Sequence, residues 1–270
     1  MDYIIWEPSG IIADFGFYKL RWYSLLFSLG LFIAYLLMQR IYKKNNIPDN
    51  KFDKLTMYII LATIIGARVG HCVFYEWDYY QNHLLEIILP FRFDPFQFIG
   101  FQGLASHGGT LGVLVALIIY SYRHKINLYW ILDKAALLAP ICAGFIRIGN
   151  LMNSEIIGKE TDVSWAFIFK NVDNIPRHPT QLYEAVSYFL IFGILQYVDR
   201  KYQRQNGFIF GLFFVLLFGT RMIIELYKEV QITAELDMAM NIGQNLSIPF
   251  IIAGIIIVIF RNKKGNRSPY

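Results

Sequence analysis

Seven stretches of the chain are apolar almost throughout: residues 22–42, 55–75, 104–122, 130–151, 182–198, 208–227 and 242–260. Each is close to the roughly 20 residues that a helix needs to cross a hydrocarbon core of about 30 Å. The polar connections between them sort by charge. Arg40, Lys43, Lys44, Lys51 and Lys54 flank the first. Arg123 and Lys125 lie in the third, Arg200, Lys201 and Arg204 in the fifth, and Arg261, Lys263, Lys264 and Arg267 in the tail. The connections at 76–103, 152–180 and 228–241 are longer and poorer in positive charge. Short basic connections mark the cytoplasmic side of a membrane. The pattern therefore predicts an all-α integral membrane protein with seven transmembrane helices, its N-terminus outside and its C-terminus cytoplasmic. An odd number of spans and opposite termini agree.

Two outer connections predict more than a link. Residues 83–98 carry apolar side chains at mixed spacing, broken by Pro90 and Pro95. The 76–103 segment is expected to lie in the interface plane without crossing. Residues 163–169 alternate in the manner of a strand, so the 152–180 segment is expected to form a small extracytoplasmic cap. With no internal repeat and no low-complexity stretch, residues 1–270 are expected to form a single polytopic membrane domain. The missing repeat also weighs against a secondary transporter.

Composition narrows the class. The chain is 56% hydrophobic and 17% charged, too apolar for a soluble domain. The net charge of +5 is accounted for by the basic connections, so nucleic acid is not an expected partner. Cys72 and Cys142 both fall inside apolar runs, giving neither a disulfide framework nor a metal cluster. No cleavable signal peptide is visible; residues 1–19 are mixed in character.

Candidate chemistry comes from the polar residues placed where they are expensive. Arg147, Asn150 and Ser154 share one helical face near the outer end of the fourth run. An arginine at the centre of a span costs roughly 3 kcal/mol, which calls for a partner or a task. Holding a lipid phosphate is one such task. On the expected topology Arg21, Arg68, His107, Gln181, Glu184, Arg221 and Glu225 all fall at the same outer side. That predicts a polar pocket in the outer leaflet, richer in arginine than simple pairing needs. Structural alternatives stand beside each candidate. Arg221 and Glu225, four residues apart, can neutralise each other. Arg68 can pair with a carboxylate such as Glu76. His107 can cap the third run, although Gly108 and Gly109 beside it permit close approach of a ligand or a backbone. The stretch from Arg177 to Glu184 can be an ordinary helix start, with Pro179 in the first turn.

These residues resemble the prolipoprotein diacylglyceryl transferase family along essentially the whole chain. The most specific match is Gly144-Phe145-Ile146-Arg147-Ile148-Gly149-Asn150-Leu151-Met152-Asn153-Ser154-Glu155-Ile156-Ile157-Gly158. Supporting matches are Arg21-Trp22-Tyr23, Gly66-Ala67-Arg68-Val69-Gly70, His107-Gly108-Gly109, Arg177-His178-Pro179-Thr180-Gln181-Leu182-Tyr183-Glu184 and Arg221-Met222-Ile223-Ile224-Glu225. The resemblance implies a transferase of the bacterial cytoplasmic membrane, acting in lipoprotein biosynthesis. Such an enzyme moves the diacylglyceryl group of phosphatidylglycerol to the thiol of the lipobox cysteine in a prolipoprotein signal peptide. A thioether forms, glycerol phosphate leaves, and neither cofactor nor metal is used. Two departures from the family are visible. The segment between Trp165 and Arg177 is shorter than in enterobacterial members, and Leu217 stands where some members have tyrosine.

On that resemblance His107, Arg147 and Arg221 are the expected catalytic residues. Asn150, Asn153, Glu155, Gly158, Gly108, Gly109 and Arg68 are expected at the phosphatidylglycerol site, with Arg21, Tyr23, Gln181, Glu184 and Glu225 in support. A thiol of pKa about 8.5 is mostly protonated at neutral pH, so it needs a base or a positive field. His107 suits the first and the arginines the second; the sequence leaves both open. The rival readings are an anionic-lipid-binding membrane transporter without chemistry and a phospholipid hydrolase. The second lacks a Ser-centred elbow or a paired-His metal motif.

Overall fold

The computed structural model describes residues 3–270 apart from 18, 94, 99, 101–102, 230–239 and 266–267. Most of the expected outer connection 228–241 thus lies outside the described residues. Each apolar run forms a helix: α1 (Trp22–Lys44), α2 (Asp49–Phe74), α5 (Ser106–His124), α6 (Leu128–Met152), α7 (Thr180–Lys201), α8 (Phe208–Ile224) and α9 (Ile242–Arg261). Five of them, α1, α2, α6, α8 with the 3-10 turn Glu225–Tyr227, and α9, are long and apolar enough to cross a membrane. The chain is a mostly helical, multi-pass membrane protein.

Short strands complete it: β1 (Ile4–Trp6), β2 (Ile11–Asp14), β3 (Lys19–Arg21), β4 (Phe91–Phe93), β5 (Phe96–Phe98), β6 (Phe167–Phe169) and β7 (Pro176–Arg177). The alternating run at 163–169 does supply a strand, β6, which pairs antiparallel with β7. Its other edge is taken by β1 in parallel, Ile4 opposite Phe167 and Trp6 opposite Phe169. The segment 76–103 contains two short helices, α3 (Trp77–Tyr80) and α4 (Leu85–Ile88), then the β4–β5 hairpin. Along that hairpin Phe91 stacks on Phe96 and meets Phe98 edge-on, and Phe93 packs tilted against Phe96.

The chain forms two compact units, residues 1–41 with 132–268, and residues 42–131 with 269–270. In the first, Leu137, Tyr188, Ile191, Leu195 and Ile209 build a core between α6, α7 and α8. Asp133 sets the start of α8 by accepting hydrogen bonds from the Gly207 and Phe210 N–H groups, both at 2.8 Å. These are donors that a helix start otherwise leaves unpaired. Asn241 and Gln244 cap α9 reciprocally. In the second unit, α2 lies unusually close to α5. A Cβ added to Gly70 would sit 2.6 Å from the Gly108 Cα, so side chains at either position would force the backbones apart. Small residues at such contacts are how membrane helices gain packing without a hydrophobic drive between them.

Candidate functional site

The first unit gathers most of the expected polar residues at one place. Arg147 and Asn150 project from the last turns of α6, Gln181 and Glu184 from the first turns of α7, and Arg221 from the last turn of α8. Glu184 is fully buried and shared. Its Oε2 meets Arg147 Nε at 3.0 Å, and its Oε1 meets Lys228 Nζ at 3.0 Å. Tyr188, one helical turn on, donates its hydroxyl to the same Oε1 at 3.3 Å. Lys228 is buried, its side chain 4% exposed, and its Nζ also reaches Glu225 Oε2 at 3.1 Å.

Lys228 changes the expected pairing of Arg221. The i, i+4 distance from Arg221 Nε to Glu225 Oε2 is 3.9 Å, longer than the lysine contact to the same oxygen. Arg221 Nε has no hydrogen-bond partner among the described residues, although it is buried. Its side chain as a whole is 33% exposed, against 17% for Arg147. Among the described residues, the expected arginines are joined by a lysine and by carboxylates: Arg147, Arg221 and Lys228 stand with Glu155, Glu184 and Glu225, three cations with three carboxylates. Sequence reasoning missed Lys228 by placing it in a connecting loop. Its signal was position: a lone lysine three residues after Glu225, in a connection otherwise poor in positive charge.

Asn150, Asn153 and Glu155 form a chain on the Arg147 side. Arg147 Nη1 donates to Asn150 Oδ1 at 3.4 Å, and Asn150 Nδ2 donates to Glu155 Oε2 at 3.0 Å. Asn153 Nδ2 donates to Glu155 Oε1 at 3.1 Å. The turn that brings Glu155 back is strained. Ser154 and Ile156 have φ of +55° and +56°, at a cost of order 1–3 kcal/mol each for side-chain-bearing residues. Tyr23 at the start of α1 lies over Gly149, where an added Cβ would come 2.9 Å from Tyr23 Cδ2. Gly158 sits where three backbones converge. A Cβ there would be 2.8 Å from the Tyr227 carbonyl, and its N–H donates to the His178 carbonyl at 3.0 Å. Close packing accounts for this glycine. Arg21 is exposed at the end of β3, opposite Ile11.

The remaining candidates belong to the second unit. Arg68 is buried and holds the 76–103 segment against α2. It donates to the carbonyls of Glu86 at 2.6 Å and Ile87 at 3.2 Å and to the Tyr80 hydroxyl at 3.2 Å, and its guanidinium lies over the Tyr80 ring. Glu76, the carboxylate expected for Arg68, lies 3.4 Å from His71 Nε2. Gly108 and Gly109 are buried in α5, and Gly108 faces α2. His107 is exposed and makes no hydrogen bond or ion pair among the described residues. No group of three or more metal-ligating side chains occurs among the described residues.

Outside the helices, Arg177 joins β7 to two carboxylates, Asp173 at 2.8 Å and Glu229 at 2.6 Å. The Arg177 hydrogen bond, against the opposing effect of burial, holds the Asp173 carboxyl below its ordinary range. Burial alone holds the His178 ring below its ordinary value. Its Nδ1 lies 3.1 Å from the Tyr183 hydroxyl, and its ring meets Tyr227 edge-on.

Comparison with known proteins places the whole chain in a family. Residues 10–260 match the family model described as prolipoprotein diacylglyceryl transferase. A phosphatidylglycerol–prolipoprotein diacylglyceryl transferase of Bacteroides fragilis is 46% identical over 266 residues, covering 97% of this chain and 96% of the relative. Proteins of the same name from Chloroherpeton thalassium and Tolumonas auensis are 43% and 41% identical. The first alignment covers 95% of this chain and 94% of the relative, the second 98% and 100%.

Proposed function

The chain belongs to the prolipoprotein diacylglyceryl transferase family, and we propose that its buried network of cations and carboxylates works on the phosphate of phosphatidylglycerol. The enzyme transfers a diacylglyceryl group from phosphatidylglycerol to a prolipoprotein. The acceptor is the thiol of the lipobox cysteine. Its sulfur attacks the glyceryl carbon that bears the phosphate ester oxygen. A carbon–sulfur bond forms as the carbon–oxygen bond breaks, and the electron pair leaves on the phosphate oxygen as glycerol phosphate. The thiol proton goes to a base or to water.

Negative charge grows on that oxygen as the bond breaks, so cations placed there act more on the transition state than on the ground state. Arg147 and Arg221 take this role. The observation that carries it is the diversion of Glu225 to Lys228, which leaves the buried Nε of Arg221 without a hydrogen-bond partner among the described residues. Glu184 meets Arg147 at Nε and Asn150 meets it at Nη1, which holds the guanidinium in place beside the proposed phosphate. Asn150 and Asn153 bind the glycerol headgroup or orient Arg147, with Glu155 between them. For the thiol, His107 is the proposed base, being exposed at the start of α5, and a positive field from the arginines is the alternative activator.

All seven long helices cross the membrane, with the N-terminus outside and the C-terminus in the cytoplasm of a bacterial cell. The bias of Lys and Arg to alternate connections supports this. The β1–β6–β7 sheet then caps the outer side, and the aromatic β4–β5 hairpin lies at the interface. The test is direct. The purified chain, phosphatidylglycerol and a lipobox peptide are incubated together, and the peptide is weighed by mass spectrometry. A gain of one diacylglyceryl group on cysteine is expected; phosphatidylglycerol that is bound but never consumed would indicate a lipid carrier instead.

A further inference from the structure

The turn between α6 and β6 holds two residues in a conformation that neither favours. Ser154 and Ile156 both have positive φ, and Ile156 is β-branched, the kind of side chain least tolerant of the left-handed region. A conformation of this kind persists only where neighbours hold it. Two neighbours do so from the first turn of α7. Thr180 donates its hydroxyl to the Ile156 carbonyl at 3.0 Å, and Gln181 donates Nε2 to the Glu155 carbonyl at 2.6 Å. Both side chains are fully buried. Between the two held carbonyls, Glu155 turns its carboxylate back to Asn150 and Asn153, and Asn150 touches Arg147.

We propose that Thr180 and Gln181 are positioning residues: by clamping the strained turn they fix Glu155, and through Asn150 they aim the Arg147 guanidinium at the phosphate. Packing alone does not account for Gln181. Its Oε1 is buried without a hydrogen-bond partner among the described residues, a costly arrangement that an apolar side chain of similar size would avoid. The amide is retained for the bond that its nitrogen makes. The proposal rests on Arg147 as a phosphate ligand.

The test is a double-mutant cycle in the full chain, reconstituted with phosphatidylglycerol and a lipobox peptide. Thr180→Val removes the hydroxyl while keeping the shape. It is expected to lower kcat roughly tenfold, a displacement effect, with KM for phosphatidylglycerol nearly unchanged. Thr180→Ser restores the donor and the rate. Ile156→Gly relieves the strain, because glycine adopts positive φ freely. In that background Thr180→Val should cost significantly less than in the parent. An equal or greater loss in both backgrounds overturns the clamp, as does a Thr180→Val protein with parental kcat per folded molecule. Failure of the underlying reading is separate: it shows as near-normal turnover of Arg147→Lys, whatever the cycle gives.

Discussion

At the scale of single residues, the weight falls on how guanidinium groups are held. Arg147 is fixed at Nε by Glu184 and at Nη1 by Asn150, which orients its plane. A lysine would keep the charge but lose the planar two-point contact that a phosphate accepts. Arg147→Lys is therefore expected to lose most transfer activity; near-normal turnover would reduce Arg147 to a point charge or a structural group. His107 has no described partner that would fix its ring. If it removes the thiol proton, His107→Gln should lose about 10²–10⁴-fold in rate. The defect should shrink as pH rises, because more thiol then ionises without help, and lipid binding should survive. Rates measured against pH, with lipid binding on the same preparation, decide this. A small, pH-independent loss assigns thiol activation to the arginines.

Elements were legible in the sequence in proportion to their length. A helix of 20 apolar residues needs no partner to be recognised, and all seven runs became helices, the largest difference being at α2, which starts at Asp49 and not at residue 55. The three-residue strands were different. Residue 4 gives no hint that it will pair with residue 167, since that pairing is set by tertiary contact and not by local pattern. The hairpin at 91–98 had a signal, phenylalanines alternating about Pro95, which the mixed spacing around it obscured. Of the site, the arginines and asparagines were visible because charge inside an apolar run is costly. Thr180 stood out only as part of the Arg177–Glu184 stretch, since a threonine at a helix start is ordinary, and the positive φ of Ile156 has no sequence signature. The small sheet also carries its own pH response. His178 has its pKa lowered by burial, so its contribution to stability is complete above the ordinary value of 6.5 and is lost as the unfolded state takes up protons below it. Asp173, also lowered, loses its contribution only further down, as pH falls through its folded value from an ordinary 3.8. Between about pH 7 and pH 5 the thermal midpoint should therefore fall, and His178→Asn should flatten that slope. An unchanged slope in the variant would place its origin elsewhere.

For the whole molecule, the orientation of seven helices is the most exposed expectation. Single cysteines at Asn50 and Gln203 should react only from the cytoplasmic side, and those at Gln81 and Asn174 only from outside, all four positions being exposed. Labelling of both pairs from one side by an impermeant reagent would refute the seven-span arrangement. The sheet β1–β6–β7 reaches further, into the order in which the chain is made. Its first strand emerges from the ribosome about 160 residues before the strand it lies beside. So does Trp6, whose indole N–H donates to the Leu151 carbonyl at 2.9 Å. At roughly 5–20 residues per second, that is a wait of about ten to thirty seconds. Throughout it the leading segment lacks the β6 edge that it will join, while the helices on either side of its partner are still being made. Closure of the sheet is thus a late event in biogenesis, and a nascent chain arrested before residue 167 has every group of β1 still open to whatever meets it first.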